Sequence, residues 1–553
     1  MPGPQRADAD IIWLLTVELT GLTFRLSTQP ITIYDATTAA PVPYDGGLSA
    51  VDYAEEIDIL RAEPASQQVA VEGYLDIPTA TLRARGYDLR EARATLGYVI
   101  APYLPSGAQH TLTTADVQVV AAGVLAQPVT DDPERPSGWF AASFEAVPWG
   151  SGAKLLDSRA IITKTDFPDA HEDAINVVMP LVIGQPGATG TTATYATPAY
   201  VIDQFGAFAT KLLIAGYDAR IFRYGVPMVG TVALDVEIHD GTAGGFTYDV
   251  EQGITASGLF YFYVDLGVDL TDPIDRIDAR YSVYWGEASG VAAVTRGRTR
   301  AGAGEALVYL LARAGMAVDV VASAPALERL RAISFNGYLN DPDVSAWEYV
   351  STQVLPYLPL TVRQGQDGLI FGYLDHDVGP AGCVARIDVA AEGWSRLSAI
   401  TQDEARPPLS LSITGGVNAV SGLASSIALF DPLAVAGATD TRVPINIGAR
   451  VAAGLNRLNV IEPIRQKIYL PWCDDQRSLY AIGLMWMSFR ASPSSTAEYS
   501  APPVWAHLAP GDAVAVTDPT RGWADRVCWV KSRRWDAGRW LFTLWTIDRP
   551  AWA

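Results

Sequence analysis

Alternating apolar and polar residues predict β-strands over much of the chain. Between residues 68 and 77, Val69, Val71, Leu75 and Ile77 fall on one face of an extended segment, as in a strand with one buried side. In the same N-terminal third, a short helix is predicted at 89–94. Apolar stretches bounded by turn residues predict further strands at 16–26, 95–101, 117–125 and 139–147.

A second group of strands is predicted between residues 172 and 300. In one of them, at 258–266, Phe260, Phe262 and Val264 share a face, while Tyr261 and Tyr263 point to the other side. Such a strand has one face in the core and one face toward water or another molecule. Tyr261 and Tyr263 are therefore candidate interface residues.

The pattern changes to helical spacing after residue 301. Apolar residues at helical spacing stop before Gly315, where a left-handed C-terminal cap is expected. Ser345 and Glu348 have the spacing of a capping box, in which the Ser hydroxyl accepts a hydrogen bond from a free helix N–H. A strand hairpin is predicted over residues 360–373, so this part of the chain is expected to be a compact α+β module.

The last part of the chain again reads as strands, which are predicted at 409–414, 467–470, 481–489, 513–517, 526–531 and 540–547. The expected fold is mainly β and multi-domain, with barrel-like β domains flanking a small helix-hairpin domain. The predicted domains are an N-terminal β domain (1–171), a second β domain (172–300), the α+β module (301–390) and a C-terminal barrel-like domain (391–553).

Charge and hydropathy exclude several classes of function. The chain has 40 basic and 61 acidic residues, a formal net charge of −21, and no Lys/Arg stripe, so specific nucleic-acid binding is not expected. An acidic surface can still line a lumen through which DNA passes. The apolar run 11–17 is preceded by acids and ends at Glu18, unlike a secretory signal, and no segment approaches the roughly 18 apolar residues of a membrane span.

The sequence contains no recognisable catalytic or metal motif. Cys383, Cys473 and Cys528 are too far apart for a CxxC pair, and no GxSxG, HExxH or Walker loop occurs. The Asp375-His376-Asp377 triplet cannot present three ligands on one side of a strand, and the acidic stretch 265–278 lacks calcium-loop spacing. We therefore expect no catalytic residue, no metal and no cofactor.

Tryptophans are concentrated near the C-terminus. Trp529 and Trp545 lie in alternating apolar strands and are expected in the core. Trp535, in a predicted turn, and Trp523 are candidate subunit contacts, since Trp and Tyr are enriched at interfaces. Stacking on sugars is an alternative use of such rings. The six residues of the group are Trp523, Trp529, Trp535, Trp540, Trp545 and Trp552.

Three stretches resemble the baseplate-hub or tail-hub proteins found at the tail tip of long-tailed bacteriophages and in gene transfer agents. The first is the helix and hairpin series 305–375, which ends in a strand similar to the "dGl.f" strand of the family. The second is 506–517, whose Pro510-Gly511-Asp512 resembles a "PGD" strand near the end of such hubs. The third is 178–184, which is similar to an "iPvvyG" segment but has Ile183 where Tyr is usual.

This resemblance implies a homotrimer in which two barrel domains per subunit build a six-fold-like ring that continues the tail tube. It implies a structural, non-enzymatic virion protein at the tail tip, made in the host cytoplasm. The implied partners are the tail tube or distal tail protein, the tape-measure protein and fibre or receptor-binding proteins. A distal tail or fibre-adaptor protein is an alternative, and a secreted carbohydrate-binding or carbohydrate-active protein is an alternative from another class.

Overall fold

A computed structural model describes most of the chain. The described residues are 9–59, 65–90, 92–102, 111–130, 132–145, 154–156, 159–184, 197–206, 208–216, 221–223, 226–228, 235–239, 246–249, 251–266, 282–285, 301–365, 368–402, 408–417, 424–430, 464–473, 475–490 and 494–547. The expected fold class is confirmed, because the molecule is mainly β and multi-domain, with few helices.

The N-terminal elements are mostly antiparallel strands. They are β1 (Ala9–Leu19), β2 (Leu22–Ser27), β3 (Ile31–Tyr34), β4 (Pro41–Tyr44), β5 (Leu48–Glu56), β6 (Ser66–Tyr74), helix α1 (Thr79–Ala84), β7 (Arg93–Pro102), β8 (Gln118–Thr130) and β9 (Trp139–Glu145).

Two predictions in this region are wrong. The single strand predicted at 16–26 is a hairpin, because the chain turns at Gly21, whose φ of 78° favours glycine. Apolar residues continue on both sides of that turn, so the alternation does not reveal it. The prediction of a helix at 89–94 is also wrong, because Arg93 already begins β7 and the other described residues of this range are not helical.

The N-terminal strands close into a barrel. They pair in the order β2-β1-β7-β8-β9-β6-β5. Asp45, which lies between β4 and β5, completes the closure by pairing with β2. The N–H of Ser27 donates to the carbonyl of Asp45 at 2.7 Å, and the N–H of Asp45 donates to the carbonyl of Arg25 at 3.0 Å. The predicted burial of Val69, Val71 and Leu75 is confirmed.

Short strands and helices follow in the middle of the chain. They are β10 (Leu181–Ile183), β11 (Thr197–Pro198), β12 (Tyr200–Phe205), β13 (Phe208–Ala215), β14 (Ile221–Arg223), β15 (Val226–Met228), β16 (Asp235–His239), β17 (Phe246–Asp249), β18 (Glu251–Ile254), β19 (Phe260–Asp265), β20 (Ser282–Trp285), β21 (Ala301–Gly302), α2 (Ala303–Arg313), α3 (Val320–Leu330), β22 (Ser334–Phe335), β23 (Gly337–Leu339), α4 (Ala346–Tyr349), β24 (Leu360–Gln364) and β25 (Leu369–Tyr373).

The local signals of this region are confirmed. Gly315 has a φ of 71° just after α2, and the Ser345 hydroxyl accepts a hydrogen bond from the N–H of Glu348 at 3.0 Å. In β19, Phe262 and Val264 are buried as the alternation predicts, but Phe260 is 45% exposed, because it begins the strand just after the exposed turn at 256–258.

The C-terminal elements return to strands, with one helix among them. They are β26 (Ala385–Asp388), β27 (Ser395–Arg396), β28 (Thr401–Gln402), β29 (Pro408–Val417), β30 (Ala424–Phe430), β31 (Ile464–Leu470), α5 (Gln476–Arg490), β32 (Ser494–Ala501), β33 (Ala513–Asp518), β34 (Trp523–Asp536) and β35 (Arg539–Ile547).

The strand predicted at 481–489 is wrong, because these residues belong to α5. Leu479, Ile482, Met485 and Phe489 are buried at steps of three or four residues, which is the helical period. An almost continuously apolar stretch hides that period from a reading based on alternation.

A second set of strands pairs in the order β26-β33-β34-β35-β32-β27, with β28 also on β32. The two ends of this set, β26 and β27, follow one another in the chain and are joined by residues 389–394. The last residues of β34 pair with β5 of the N-terminal barrel, so both strand sets belong to one 14-stranded sheet. We call the N-terminal set the first barrel, the C-terminal set the second barrel, and the two together the barrel pair. The domain boundaries at 171, 300 and 390 stay predictions.

A separate apolar core lies under the helices. It joins α2, α3 and α4 with the β24–β25 hairpin, the three-stranded sheet β30-β29-β31 and α5. We call this part the helical body. Its core includes residues from both sides of position 390, for example Leu310 and Ile468.

Candidate assembly interface

The junction of the two barrels contains a buried ion pair. Arg533 of β34 lies opposite Glu55 of β5, and its Nε donates to the Glu55 carboxylate at 2.9 Å. Arg533 is 6% exposed and Glu55 is 1% exposed. Charges so deeply buried are tolerated only when their hydrogen-bonding groups are satisfied.

Neighbouring polar groups make further hydrogen bonds with both members of this ion pair. Arg533 donates through Nη1 to the carbonyls of Ala506 and Leu508, both at 3.1 Å, and through Nη2 to the Tyr53 hydroxyl at 3.0 Å. The Tyr53 hydroxyl donates in turn to Glu55 at 2.7 Å, and burial raises the pKa of Tyr53 well above its usual value. The network therefore fixes the second barrel against the first through residues about 480 positions apart.

Aromatic rings surround this network. The ring of Trp13 lies 5.4 Å from that of Tyr98, 6.0 Å from that of Trp535 and 6.1 Å from that of Trp540. The Tyr98 hydroxyl donates to the carbonyl of Ala506 at 2.6 Å, and burial raises the pKa of Tyr98 to about 12. One apolar core thus runs through both barrels.

A second ionic cluster joins β27, at one end of the C-terminal strand set, to β33, which lies next to the other end. The buried Asp518, at the end of β33, accepts a hydrogen bond from Arg396 Nε of β27 at 2.8 Å and another from the Tyr499 hydroxyl at 3.0 Å. The hydrogen bond from Arg396 holds the pKa of Asp518 below its usual value. Arg521 lies over the rings of Tyr499 and Trp523 at 4.9 and 5.6 Å.

The predicted contact residues are all partly buried. Trp535 is in β34 itself, before the turn at Ala537, and packs on the core of the barrel pair. Trp523 lies under Arg521. Tyr261 and Tyr263 contact each other at 5.6 Å in a small core of their own. The structure does not bring the two tryptophans and the two tyrosines into one core cluster, and their role in subunit contact stays a prediction.

The assignment of Trp529 and Trp545 to the core is confirmed, because they are 1% and 2% exposed. Their rings lie 5.5 Å apart, and Phe489 of α5 lies 5.6 Å from Trp529. These tryptophans therefore pack the barrel pair against a helix of the helical body.

The "PGD" segment, Pro510-Gly511-Asp512, is a second contact between the barrel pair and the helical body. Gly511 has a φ of 95°, and a Cβ at this position would meet Thr361 of β24 at 2.5 Å. The Asp512 carboxylate accepts a hydrogen bond from the N–H of Ala509 at 2.8 Å, and burial raises the pKa of Asp512. The motif thus makes a tight turn on which the hairpin of the helical body rests.

Sequence reasoning missed the residues that join the barrels. Arg533 and Glu55 are two of many charged residues, and no local pattern distinguishes a buried ion pair from exposed charges.

Within the described ranges, no group of three or more His, Cys, Asp or Glu side chains is placed to hold a metal ion. No helix in the same part of the chain is long and apolar enough to span a bilayer.

Comparison with known proteins gave matches only among solved structures. No family model and no curated protein matches the chain. The tail protein of Neisseria meningitidis MC58 is 10% identical, with 96% of each chain covered and a TM-score of 0.37. The 43 kDa tail protein of prophage MuSo2 from Shewanella oneidensis is 9% identical, with 97% of each chain covered and a TM-score of 0.34.

A third match is to a chain in the virion of a native gene transfer agent, 11% identical, covering 73% of this chain and 92% of that one, with a TM-score of 0.37. The solved structures named here are thus two tail proteins and a virion component.

Proposed function

We propose that this protein is a structural component of a phage-like tail that assembles as a ring at the tail tip. In this role it continues the tail tube and connects it to distal receptor-binding parts. The ring is a homotrimer, and its neighbours are the tube or distal tail protein, the tape-measure protein and fibre or receptor-binding proteins. The protein works through its interfaces and has no active site.

The observation that carries the proposal is the rigid pairing of two strand sets within one chain. β34 belongs to the second set and also pairs with β5 of the first, and Arg533 and Glu55 lock that pairing. Three copies of such a subunit supply six barrel-like units, the number needed to match a six-fold tube. A fixed angle between the two units is what a closed ring requires.

The mass of the assembled full-length chain in solution tests this proposal. We expect a particle of three times 59.3 kDa, and a threefold axis in averaged electron micrographs. A stable monomer at micromolar concentration would overturn the proposal. Six copies per particle would instead identify a distal tail or adaptor ring.

The candidate contact residues can be tested in the same assay. Trp523→Ala removes a half-buried ring beside Arg521, and we expect it to shift the assembly toward smaller species at equal protein concentration. Arg534→Ala, at an exposed position of the same strand, is the matched control. An unchanged trimer fraction in Trp523→Ala would remove that residue from the contact.

A further inference from the structure

The sheet β12-β13-β19-β18 has two edge strands that differ in regularity. Along β12 the register with β13 shifts on both sides of Asp203, whose carboxylate lies 3.8 Å from Lys211 of β13. Irregular register and charged side chains keep an edge strand from pairing with another chain. In β18, by contrast, all four residues pair with β19 in a single register, and Gln252, Gly253 and Ile254 carry no charge. The β18 edge therefore lacks the protection that the β12 edge has.

The outer side of β18 presents the backbone groups of two residues. The N–H of Thr255 donates to the carbonyl of Leu259 at 2.8 Å, so these two residues are a hydrogen-bonded pair of the antiparallel ladder. Since such pairs alternate along a ladder, Gly253 also turns its N–H and C=O toward β19, whereas Gln252 and Ile254 turn theirs away. No strand in the described part of the chain pairs with that side of β18. The edge is open for two residues.

Two exposed apolar side chains lie beside this open edge. Ile254 and Phe260 are opposite each other on one face of the sheet and are 61% and 45% exposed. The same face continues along β19 into Phe262 and Val264, which are buried. A strand added beside β18 would extend this face, and an apolar residue next to Ile254 would cover surface that is now in water.

The two candidate contact tyrosines of β19 lie on the opposite face and reach across β18. A Cβ at Gly253 would clash with the Tyr261 ring, so that ring covers the glycine. The Tyr263 hydroxyl donates to the Glu251 carboxylate at 2.7 Å, and Glu251 is the one charged residue of β18. Both tyrosine side chains therefore extend from β19 toward the open edge.

We propose that β18 pairs through this edge with an extended segment of a different protein of the assembly, which adds a strand to the four-stranded sheet. The incoming strand forms backbone hydrogen bonds with Gln252 and Ile254 and places an apolar side chain beside Ile254. A second copy of this chain is not the source, because antiparallel pairing of β18 with itself generates a twofold axis, which a threefold ring does not contain. The choice of source thus rests on the proposed function, whereas the open edge does not.

A substitution that removes one outward N–H tests the edge. Gln252→Pro deletes this donor and leaves the hydrogen bonds between β18 and β19 in place, because proline is tolerated in an edge strand when its nitrogen faces outward. Gln252→Ala, which keeps the N–H, is the matched control. We expect Gln252→Pro to enter complete tails at least about tenfold less than Gln252→Ala, with the same denaturation midpoint and the same mass of the ring formed by the chain alone. Equal incorporation of the two variants would overturn the proposal.

Hydrogen exchange of the unmodified chain identifies the source of the strand. The amides of Gln252 and Ile254 are followed by mass spectrometry in the isolated chain, in the ring formed by the chain alone and in complete tails. We expect fast exchange in the first two samples and at least about tenfold slower exchange in complete tails. Slow exchange already in the ring would overturn the assignment to a different protein, and fast exchange in complete tails would overturn the strand pairing itself. A chain that stays a monomer would overturn the proposed function and the choice of source, while slow exchange in complete tails would still support pairing at this edge.

Discussion

The barrel pair and the helical body are stabilised in different ways. The barrels meet around a buried ion pair, Arg533 with Glu55, and a cluster of large aromatic rings. The helical body is packed mainly by aliphatic side chains such as Leu307, Leu310 and Leu311, all 0% exposed. An aliphatic core tolerates small shifts, whereas a buried ion pair has one satisfied geometry. The junction that must hold a fixed angle is therefore the one built from directional contacts.

The largest effect is expected from breaking the ion pair on one side. Arg533→Ala leaves the Glu55 carboxylate buried and removes the donors to Ala506 and Leu508. We expect a loss of about 3–5 kcal/mol of unfolding free energy, measured by chemical denaturation. Arg534→Ala, with an exposed side chain on the same strand, is the control and should change stability little.

Removing both charges separates the cost of an unpaired buried charge from the cost of lost packing. The double variant Arg533→Met, Glu55→Gln should be more stable than Arg533→Ala, because no uncompensated charge remains in the core. If the single and double variants are equally destabilised, the cost comes from lost packing and the ion pair is not what fixes the junction.

A smaller effect is expected in the helical body. Leu310→Ala deletes fully buried methyl groups, and we expect a loss of about 3 kcal/mol, at the middle of the range for such truncations. Val321→Ala, at a position 88% exposed in α3, is the matched control and should be nearly neutral. A loss for Leu310→Ala larger than that for Arg533→Ala would reverse the contrast between the two regions.

The sequence predicted local features of the fold, but it did not predict contacts between distant parts of the chain. Features set by neighbouring residues were predicted, such as the β24–β25 hairpin, the Ser345 cap and the buried face of β19. The pairing of β5 with β34 was not, because alternation shows which face of a strand is buried but not which strand it meets.

The smallest effect is expected at a helix start. Ser345→Ala removes the hydroxyl that accepts from the N–H of Glu348, and we expect a loss of about 1 kcal/mol, measured as a shift of the denaturation midpoint. Ser345→Asp should retain most of the stability, because a carboxylate caps the same N–H and is favoured at a helix N-terminus. An unchanged midpoint in Ser345→Ala would show that this hydrogen bond does not stabilise the helix start.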